Sequence, residues 1–330
     1  MFHFEEMTLS PKKILGNFLS ESGDWEKDPS CDRFGVISDI HNDCLAARTT
    51  LEQRGILDSD GEWKKGISRI HLVFTGDNVN KDSPESETFR FLKHLKKTAP
   101  EHCEVTVLVG NHEIDLLLRS ADGEKCLKKK EIKFLKNCEI VYKKGSILFL
   151  HGYPTRELLQ ELLVQYEENN GDVATSDWVV NQRFSEIVST LLEERPLGID
   201  KKETLHSCDF GSTEKHLGGL TEDQYYKEYG EEISTLLKRM GVTLVVHGHK
   251  KNISGGQRME EYIPGVCMID NDVALAEGSN PHHKHRIGLT EITTRPDKQI
   301  GIGCLYKKNI DSHGNIKMKY GTVSTTEGNG

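Results

Sequence analysis

The sequence has no Cys-x-x-Cys pair, no long apolar run and no surplus of positive charge. Its eight cysteines are scattered over 330 residues, so we expect reduced thiols and a reducing, cytoplasmic compartment. Apolar stretches such as 147–150 fall far short of the ~20 residues that a membrane span needs. Residues 1–6 have neither a basic n-region nor an apolar h-region, so no secretory signal is predicted. The net charge of −9 argues against nucleic acid as a partner, because phosphate binding needs a concentrated basic face.

What the chain does contain is a series of short apolar runs that each end abruptly in polar residues. Val105 to Val109 alternate as a buried strand would, and Gly110 ends that run. Similar runs at 34–37 and 70–74 alternate with helical patterns, which is typical of a mainly parallel sheet. Right-handed crossovers then place the carboxyl ends of these strands at one edge of the sheet.

After a predicted hairpin over 139–150, the pattern changes to long amphipathic helices between 155 and 240. A strand returns at 242–246, and four later strand-like runs suggest a second sheet packed on the first: 261–270, 287–293, 299–307 and 316–320. The predicted fold class is therefore α/β, a two-sheet β-sandwich flanked by helices with a helical insertion. The predicted parts are a helical lead-in (1–32), a catalytic domain (33–154 and 241–320), the helical insertion (155–240) and a flexible tail (321–330).

Metal-ligand residue types follow five of the predicted strands. In chain order they are Asp39 and His41, Asp77, Asn111 and His112, His151, and His247 and His249. Singly, each could merely cap a strand end, but carboxylate, amide and imidazole groups in this order suit a hard or borderline divalent ion. A lone aspartate on a central strand, Asp77, can bridge two ions. Such a pair, ~3.5–4 Å apart, holds a hydroxide and clamps both oxygens of an in-line phosphoryl displacement.

Five short motifs resemble those of the calcineurin-like metallophosphoesterases in order and strand context. They are Asp39-x-His41, Gly76-Asp77, Gly110-Asn111-His112-Glu113, His151-Gly152 and Gly248-His249. Within that superfamily, the Gly-Asn-His-Glu and His-Gly blocks are similar to the phosphoprotein phosphatases. Some secreted bacterial effectors carry divergent versions of the fold with a helical addition, which the 155–240 segment would suit. Delivery into a host cell would follow from such an origin.

The resemblance implies two divalent ions, with manganese expected and iron or zinc as alternatives. It places one ion on Asp39, His41 and Asp77, and the second on Asp77, Asn111, His151 and His249. His112 would be the general acid, and an imidazole pKa near ~6.5 suits that role. His247 stays open between a ligand and a structural strand residue, because strand alternation puts it on the same face as His249.

Two arginines that the resemblance would lead us to expect are missing. Val79-Asn80-Lys81-Asp82 stands where the phosphatases have Val-Asp-Arg-Gly, and Val109 precedes Gly110 in place of the second arginine. Lys81, with Asn111, is predicted to contact the substrate phosphate, but an ammonium replaces a bidentate guanidinium only as a point charge. A substrate with a good leaving group, such as phosphotyrosine, would depend less on the general acid.

The function predicted from these residues is a dinuclear-metal phosphoprotein phosphatase acting on phosphotyrosine or phosphoserine and phosphothreonine. The helical insertion would be a docking surface for the phosphorylated protein. An alternative is a dinucleoside polyphosphate or other small phosphoester hydrolase, because 266–270 resembles the strand that follows the last histidine in nucleotide-cleaving relatives. An alternative of another class is a non-catalytic binding module on the same fold.

Overall fold

A computed structural model describes nine stretches of the chain. They are 32–174, 177–193, 196–208, 217–250, 258–260, 263–272, 288–294, 300–306 and 319–323. The predicted lead-in before residue 32 lies outside them, as does the predicted tail beyond 323. Residues 321–323, predicted as tail, belong to a strand.

The described strands and helices alternate from Asp32 to Ala121. The helices are α1 (Cys44–Gln53), α2 (Ser86–Thr98), α3 (Asn111–Ala121), α4 (Lys129–Leu135), α5 (Arg156–Glu168), α6 (Val179–Leu192), α7 (Ile199–Ser207) and α8 (Glu222–Arg239). The strands are β1 (Asp32–Ile37), β2 (His71–Phe74), β3 (Glu104–Val107), β4 (Tyr142–Lys144), β5 (Ile147–Phe149), β6 (Leu244–His247), β7 (Arg258–Glu260), β8 (Cys267–Asp270), β9 (Gly288–Thr294), β10 (Ile300–Tyr306) and β11 (Lys319–Val323).

The strands form two sheets, as the sequence predicts. One has the order β11-β10-β9-β1-β2-β3, and the other the order β4-β5-β6-β8-β7. β1, β2 and β3 are parallel, and so are β5, β6 and β8. Side chains such as Phe34, Val73, Phe149 and Val246 form a buried cluster contributed by both sheets. This confirms the two-sheet α/β sandwich.

The prediction that all four late runs build the second sheet is wrong for three of them. Only β8 joins that sheet, whereas β9, β10 and β11 extend the first one in antiparallel order. β9 pairs along the edge of β1 that β2 leaves open, with Gly35 opposite Glu291. A strand's alternation fixes which side chains are buried but does not specify its partner, so the sequence pattern fits either sheet.

The helices from 156 to 239 share the main core of the protein. Leu158, Val180, Leu205 and Tyr225 belong to one buried cluster that also contains strand residues such as Leu72. The insertion therefore packs directly on the sheet layers, and the domain boundaries given above stay a prediction. No helix in the described part of the chain is long and apolar enough to cross a membrane. Cys44, Cys103, Cys126 and Cys138 are free thiols in the described part of the chain.

A buried asparagine fastens α6 to the segment that leads into β4. The Asn181 side chain accepts hydrogen bonds from the N–H groups of Ile140 (2.8 Å) and Val141 (3.1 Å) and donates to the Val141 carbonyl (2.9 Å). Asn181→Ala should lower the free energy of unfolding by about 2–4 kcal/mol, because buried main-chain groups lose their partners. Asn169→Ala, at the exposed end of α5, should cost less than about 0.5 kcal/mol in the same urea titration. Equal losses for the two variants would contradict this account.

Candidate metal centre

The loops that follow the strands adopt an unusual backbone conformation. Asp39, His41, Asp77 and His249 all have positive φ, at 53°, 46°, 49° and 75°. Such residues are uncommon and cost roughly 1–3 kcal/mol each, so the surrounding structure must hold them in place. The Asp39 N–H donates to the Gly76 carbonyl at 3.1 Å, and the His41 N–H donates to the Asp77 carbonyl at 3.0 Å. The loops after β1 and β2 therefore brace each other, and both carry predicted ligands.

Close approach between these loops requires the motif glycines. A Cβ atom on Gly76 would lie 2.7 Å from both the Gly110 nitrogen and Nδ1 of His151. A Cβ atom on Gly248 would overlap Ser38 Oγ and Asp39 Oδ2. The glycines thus bring the loops after β2, β3 and β6 together at one end of the sandwich.

One cluster of potential ligands consists of His41, Asp77 and His112, which offer ligand atoms within 4.8 Å of one another. Nδ1 of His41 lies 3.2 Å from Nδ1 of His112, and Nε2 of His112 lies 3.6 Å from Oδ2 of Asp77. Asp39 adjoins the cluster, since its Oδ1 is 3.7 Å from Nε2 of His41. The structure therefore brings the three predicted ligands of the first ion together and places His112 beside them.

A second cluster consists of Asp77, His151 and His249, again within 4.8 Å. Oδ1 of Asn111 lies 2.9 Å from Nε2 of His151 and 3.0 Å from Nδ1 of His249. Nδ1 of His151 faces the Thr75 carbonyl at 2.9 Å, which leaves Nε2 directed to the cluster. A hydrogen bond from the other ring nitrogen commonly orients a metal-binding imidazole in this way. Asp77 belongs to both clusters, in the bridging place that the sequence predicts.

Burial shifts the pKa values of Asp39 and His151 in the directions that favour the uncharged form of each side chain. Burial raises the pKa of Asp39, and the neighbouring carboxylates of Asp272 and Asp77 raise it further. Burial also lowers the pKa of His151, with an additional contribution from His249. A divalent cation would stabilise ionised carboxylates and neutral imidazoles, so it would relieve the repulsion among the carboxylates. The donor set and its charge therefore fit two divalent ions.

Two of the predicted site residues lie apart from these clusters. Lys81 is exposed on the loop after β2, where its carbonyl accepts a hydrogen bond from Nη1 of Arg119 at 2.9 Å. His247 is fully buried at the end of β6; its Nδ1 lies 2.9 Å from the Gly248 carbonyl and its ring is 4.7 Å from that of Tyr153. The geometry thus places His247 in an aromatic contact rather than in either cluster.

Sequence reasoning gave no role to Glu113, although it organises the centre. Its buried carboxylate accepts hydrogen bonds from the N–H groups of Gly110 (2.8 Å), Asp77 (3.0 Å) and Val79 (3.0 Å). One side chain therefore ties the loop after β2 to the start of α3. A signal was present, because an acidic residue at the third helical position is typical of a capping box.

A methyl group on Gly248 should disrupt the centre. In Gly248→Ala the added Cβ must displace Ser38 or Asp39. The backbone of Asp39 is already strained by its positive φ. We expect metal affinity to fall by about 10–100-fold, as when groups that orient ligands are lost. Gly198→Ala is the matched control, since a Cβ there has no atom within 4 Å. Manganese titration of both variants checks this, and wild-type affinity in Gly248→Ala would contradict it.

Comparisons with known proteins agree with this geometry. A family model described as calcineurin-like phosphoesterase matches residues 32–251. Shewanella-like protein phosphatase 2 of Arabidopsis thaliana is 30% identical over 84 residues, which are 25% of this chain and 21% of that protein. The match thus spans about a fifth of the curated relative.

Solved structures show the same fold at low sequence identity. The crystal structure of a cold-active protein-tyrosine phosphatase from a psychrophilic Shewanella species has a TM-score of 0.52 and 18% identity, with 82% of this chain and 77% of that chain covered. A structure of a cold-active protein tyrosine phosphatase at 1.1 Å has a TM-score of 0.52 and 16% identity, covering 87% and 80% of the two chains. The likeness establishes the architecture around the clusters.

Proposed function

Because the chain belongs to the calcineurin-like phosphoesterase family, we propose that it is a phosphoprotein phosphatase that uses two divalent metal ions. The family uses a dinuclear metal centre, and membership supports a hydrolase of phosphoesters. The observation that carries the proposal is the pair of ligand clusters that share Asp77. Manganese is our first choice of metal, with iron and zinc as alternatives.

The ligand assignment follows the two clusters. Asp39, His41 and Asp77 would hold one ion, and Asp77, Asn111, His151 and His249 would hold the other. When bound, the ions supply Lewis-acid stabilisation of the phosphate oxygens and activate a water molecule for attack on phosphorus. Ser38 supports the first set by donating its hydroxyl to Oδ2 of Asp39, and the His249 N–H donates to the same oxygen at 3.0 Å.

His112 would protonate the departing oxygen of the substrate. The main-chain N–H of His112 donates to Oδ1 of Asp77 at 2.9 Å, which fixes the residue beside the shared ligand. Its Nδ1 lies 3.1 Å from the Val79 carbonyl, which can only accept a hydrogen bond, so Nδ1 carries a proton there. The proton that the imidazolium can transfer to the substrate is then the one on Nε2. Burial lowers the pKa of His112, and Lys81 lowers it further, so the imidazolium gives up its proton more readily.

Phosphorylated proteins are the proposed substrates. The similar proteins are named as protein phosphatases, one of them a Shewanella-like phosphatase and two of them tyrosine phosphatases. Lys81 and Asn111 would contact the phosphate, Lys81 from its exposed position on the loop after β2. An ammonium neutralises less of the developing charge than a bidentate guanidinium, so phosphotyrosine, with its better leaving group, should be the preferred residue.

The test is metal-reconstituted hydrolysis of matched phosphotyrosine, phosphoserine and phosphothreonine peptides with manganese, iron or zinc. We expect metal-dependent phosphate release, with the phosphotyrosine peptide cleaved fastest. A dinucleoside polyphosphate serves as the competing substrate. Its cleavage in the absence of peptide hydrolysis would replace the protein-phosphatase proposal by a small-phosphoester one. No hydrolysis with any of these metals would favour a binding module on the same fold.

A further inference from the structure

Two adjacent helices carry a concentration of positive charge on a protein with an acidic balance. The whole chain has 43 Lys and Arg against 52 Asp and Glu. Residues 86–98 and 125–136, which include α2 and α4, contain ten Lys and Arg but only two acidic residues, Glu87 and Glu131. The negative charge of the protein is therefore concentrated elsewhere.

α2 and α4 lie side by side and run in the same direction. The Phe89 and Phe134 rings are 5.9 Å apart between them. Near their first turns, Nζ of Lys128 donates to Oγ of Ser86 at 2.7 Å, and beyond their last turns Nζ of Lys96 donates to the Asn137 carbonyl at 3.2 Å. The two helices thus form one continuous surface.

Basic side chains occupy the outer side of both helices. Helical spacing aligns Arg90, Lys93 and Lys97 along α2, opposite buried Leu92 and Leu95. The cations aligned on α4 are Lys129, Lys130 and Lys133. These six exposed residues, Arg90, Lys93, Lys97, Lys129, Lys130 and Lys133, are called the basic face.

Most of the charge of the basic face is uncompensated within the described part of the chain. Several cations on other helices do form ion pairs, as in Arg119–Glu124, Arg183–Glu161 and Arg239–Glu167. Within the described residues, the members of the basic face other than Lys129 form no ion pair. Like charges on neighbouring turns repel one another and destabilise the helix slightly. An acidic partner would relieve that repulsion.

α2, which carries three members of the basic face, begins beside the candidate metal centre. Asn42 directly follows the predicted ligand His41, and its side chain reaches the start of α2: Oδ1 accepts from the Glu85 N–H at 3.1 Å and Nδ2 donates to the Ser83 carbonyl at 2.7 Å. α2 has 13 residues and extends away from this point over ~20 Å. A substrate segment that leaves the centre can therefore continue directly onto the face.

We propose that the basic face binds an acidic segment of the phosphoprotein substrate, close in sequence to the phosphorylated residue. This proposal rests on the proposed function. About six residues of extended chain span the length of α2, because each residue extends ~3.3–3.6 Å. Aspartate or glutamate carboxylates along such a segment meet the Lys and Arg side chains of the face. The specificity that follows is for phosphosites flanked by runs of acidic residues.

The test compares phosphopeptides that differ only in flanking charge. Six glutamates stand on the amino or the carboxyl side of phosphotyrosine or phosphoserine, and glutamines replace them in the control peptides. We expect KM for one acidic orientation to be about fivefold lower than for its control, a difference that vanishes in 1 M salt, where the Debye length is about 3 Å. Lys93→Gln/Lys133→Gln should remove the preference. Lys227→Gln/Lys238→Gln, an equal charge change at exposed positions on α8, should keep it.

A second readout separates this proposal from the proposed function. Binding of a fluorescein-labelled, unphosphorylated hexaglutamate peptide is measured by anisotropy and should weaken in Lys93→Gln/Lys133→Gln only. Such binding without hydrolysis of any phosphopeptide would support the face and overturn the phosphatase proposal. Hydrolysis with equal KM for acidic and neutral peptides would support the phosphatase proposal and overturn the role of the basic face. Tighter binding of duplex DNA or of anionic phospholipid vesicles than of the acidic peptide would overturn the choice of partner.

Discussion

Asp77→Asn should release both metal ions and reduce kcat/KM for a phosphopeptide by about 10³-fold or more, since ions of this kind supply several kcal/mol of transition-state stabilisation. Asp77 is the only residue common to both ligand clusters among the described residues. The amide removes the negative charge that a bridging ligand needs, and amide nitrogen binds divalent ions poorly. The change is isosteric, and the remaining oxygen can still accept from the His112 N–H, so the fold should survive.

Metal analysis and kinetics on the same preparation check this result. Asp60→Asn, at an exposed aspartate in the loop after α1, removes the same charge and should keep both ions and full activity. Circular dichroism of the two variants should match that of the wild type. Two tightly bound ions in Asp77→Asn would show that another residue bridges them, and the assignment of both ligand sets would then be wrong.

The edge that carries the first ligands could be predicted from local sequence alone. β1, β2 and β3 each show an apolar run that stops at polar residues, and the rule of right-handed crossovers puts Asp39, Asp77 and Asn111 at one edge of the sheet. His151 and His249 lie in the loops after β5 and β6 of the second sheet. Only the order of the five motifs, through the family resemblance, could place these two histidines in the same centre.

Other features depend on contacts between distant parts of the chain. β9 lies more than 200 residues from its partner β1, and nothing in its alternation distinguishes pairing with β1 from pairing in the second sheet. Glu113 appears in the sequence as an ordinary acidic residue in the first turn of a helix. Its three main-chain donors become visible only when the loop after β2 is folded against α3.

The position of His112 is a third case, because the sequence gives no indication of how close it lies to His41. Their Nδ1 atoms are 3.2 Å apart, and both residues share a cluster with Asp77. His112 could thus act as the general acid, as the resemblance implies, or as an additional ligand. The two roles predict different dependence on the leaving group.

His112→Asn should slow hydrolysis of a phosphoserine peptide by about 10²–10⁴-fold, the usual contribution of a general acid. Hydrolysis of nitrophenyl phosphate should fall much less, because that leaving group departs without a proton. The loss should lie in kcat, since proton transfer stabilises only the transition state. Both metal ions should remain bound, because Asp39, His41 and Asp77 still hold the first one. The measurements are kcat on the two substrates and metal content.

His102→Asn is the matched control, at an exposed histidine whose Nε2 lies 2.9 Å from the Ile67 carbonyl, and it should change neither rate nor metal content. If His112→Asn slows both substrates equally and loses one ion, His112 is a ligand in the cluster with His41 and Asp77. Proton donation would then have to come from another group. A selective loss on the phosphoserine peptide, with two ions retained, assigns the proton to His112, because only a missing acid discriminates between substrates by their leaving groups.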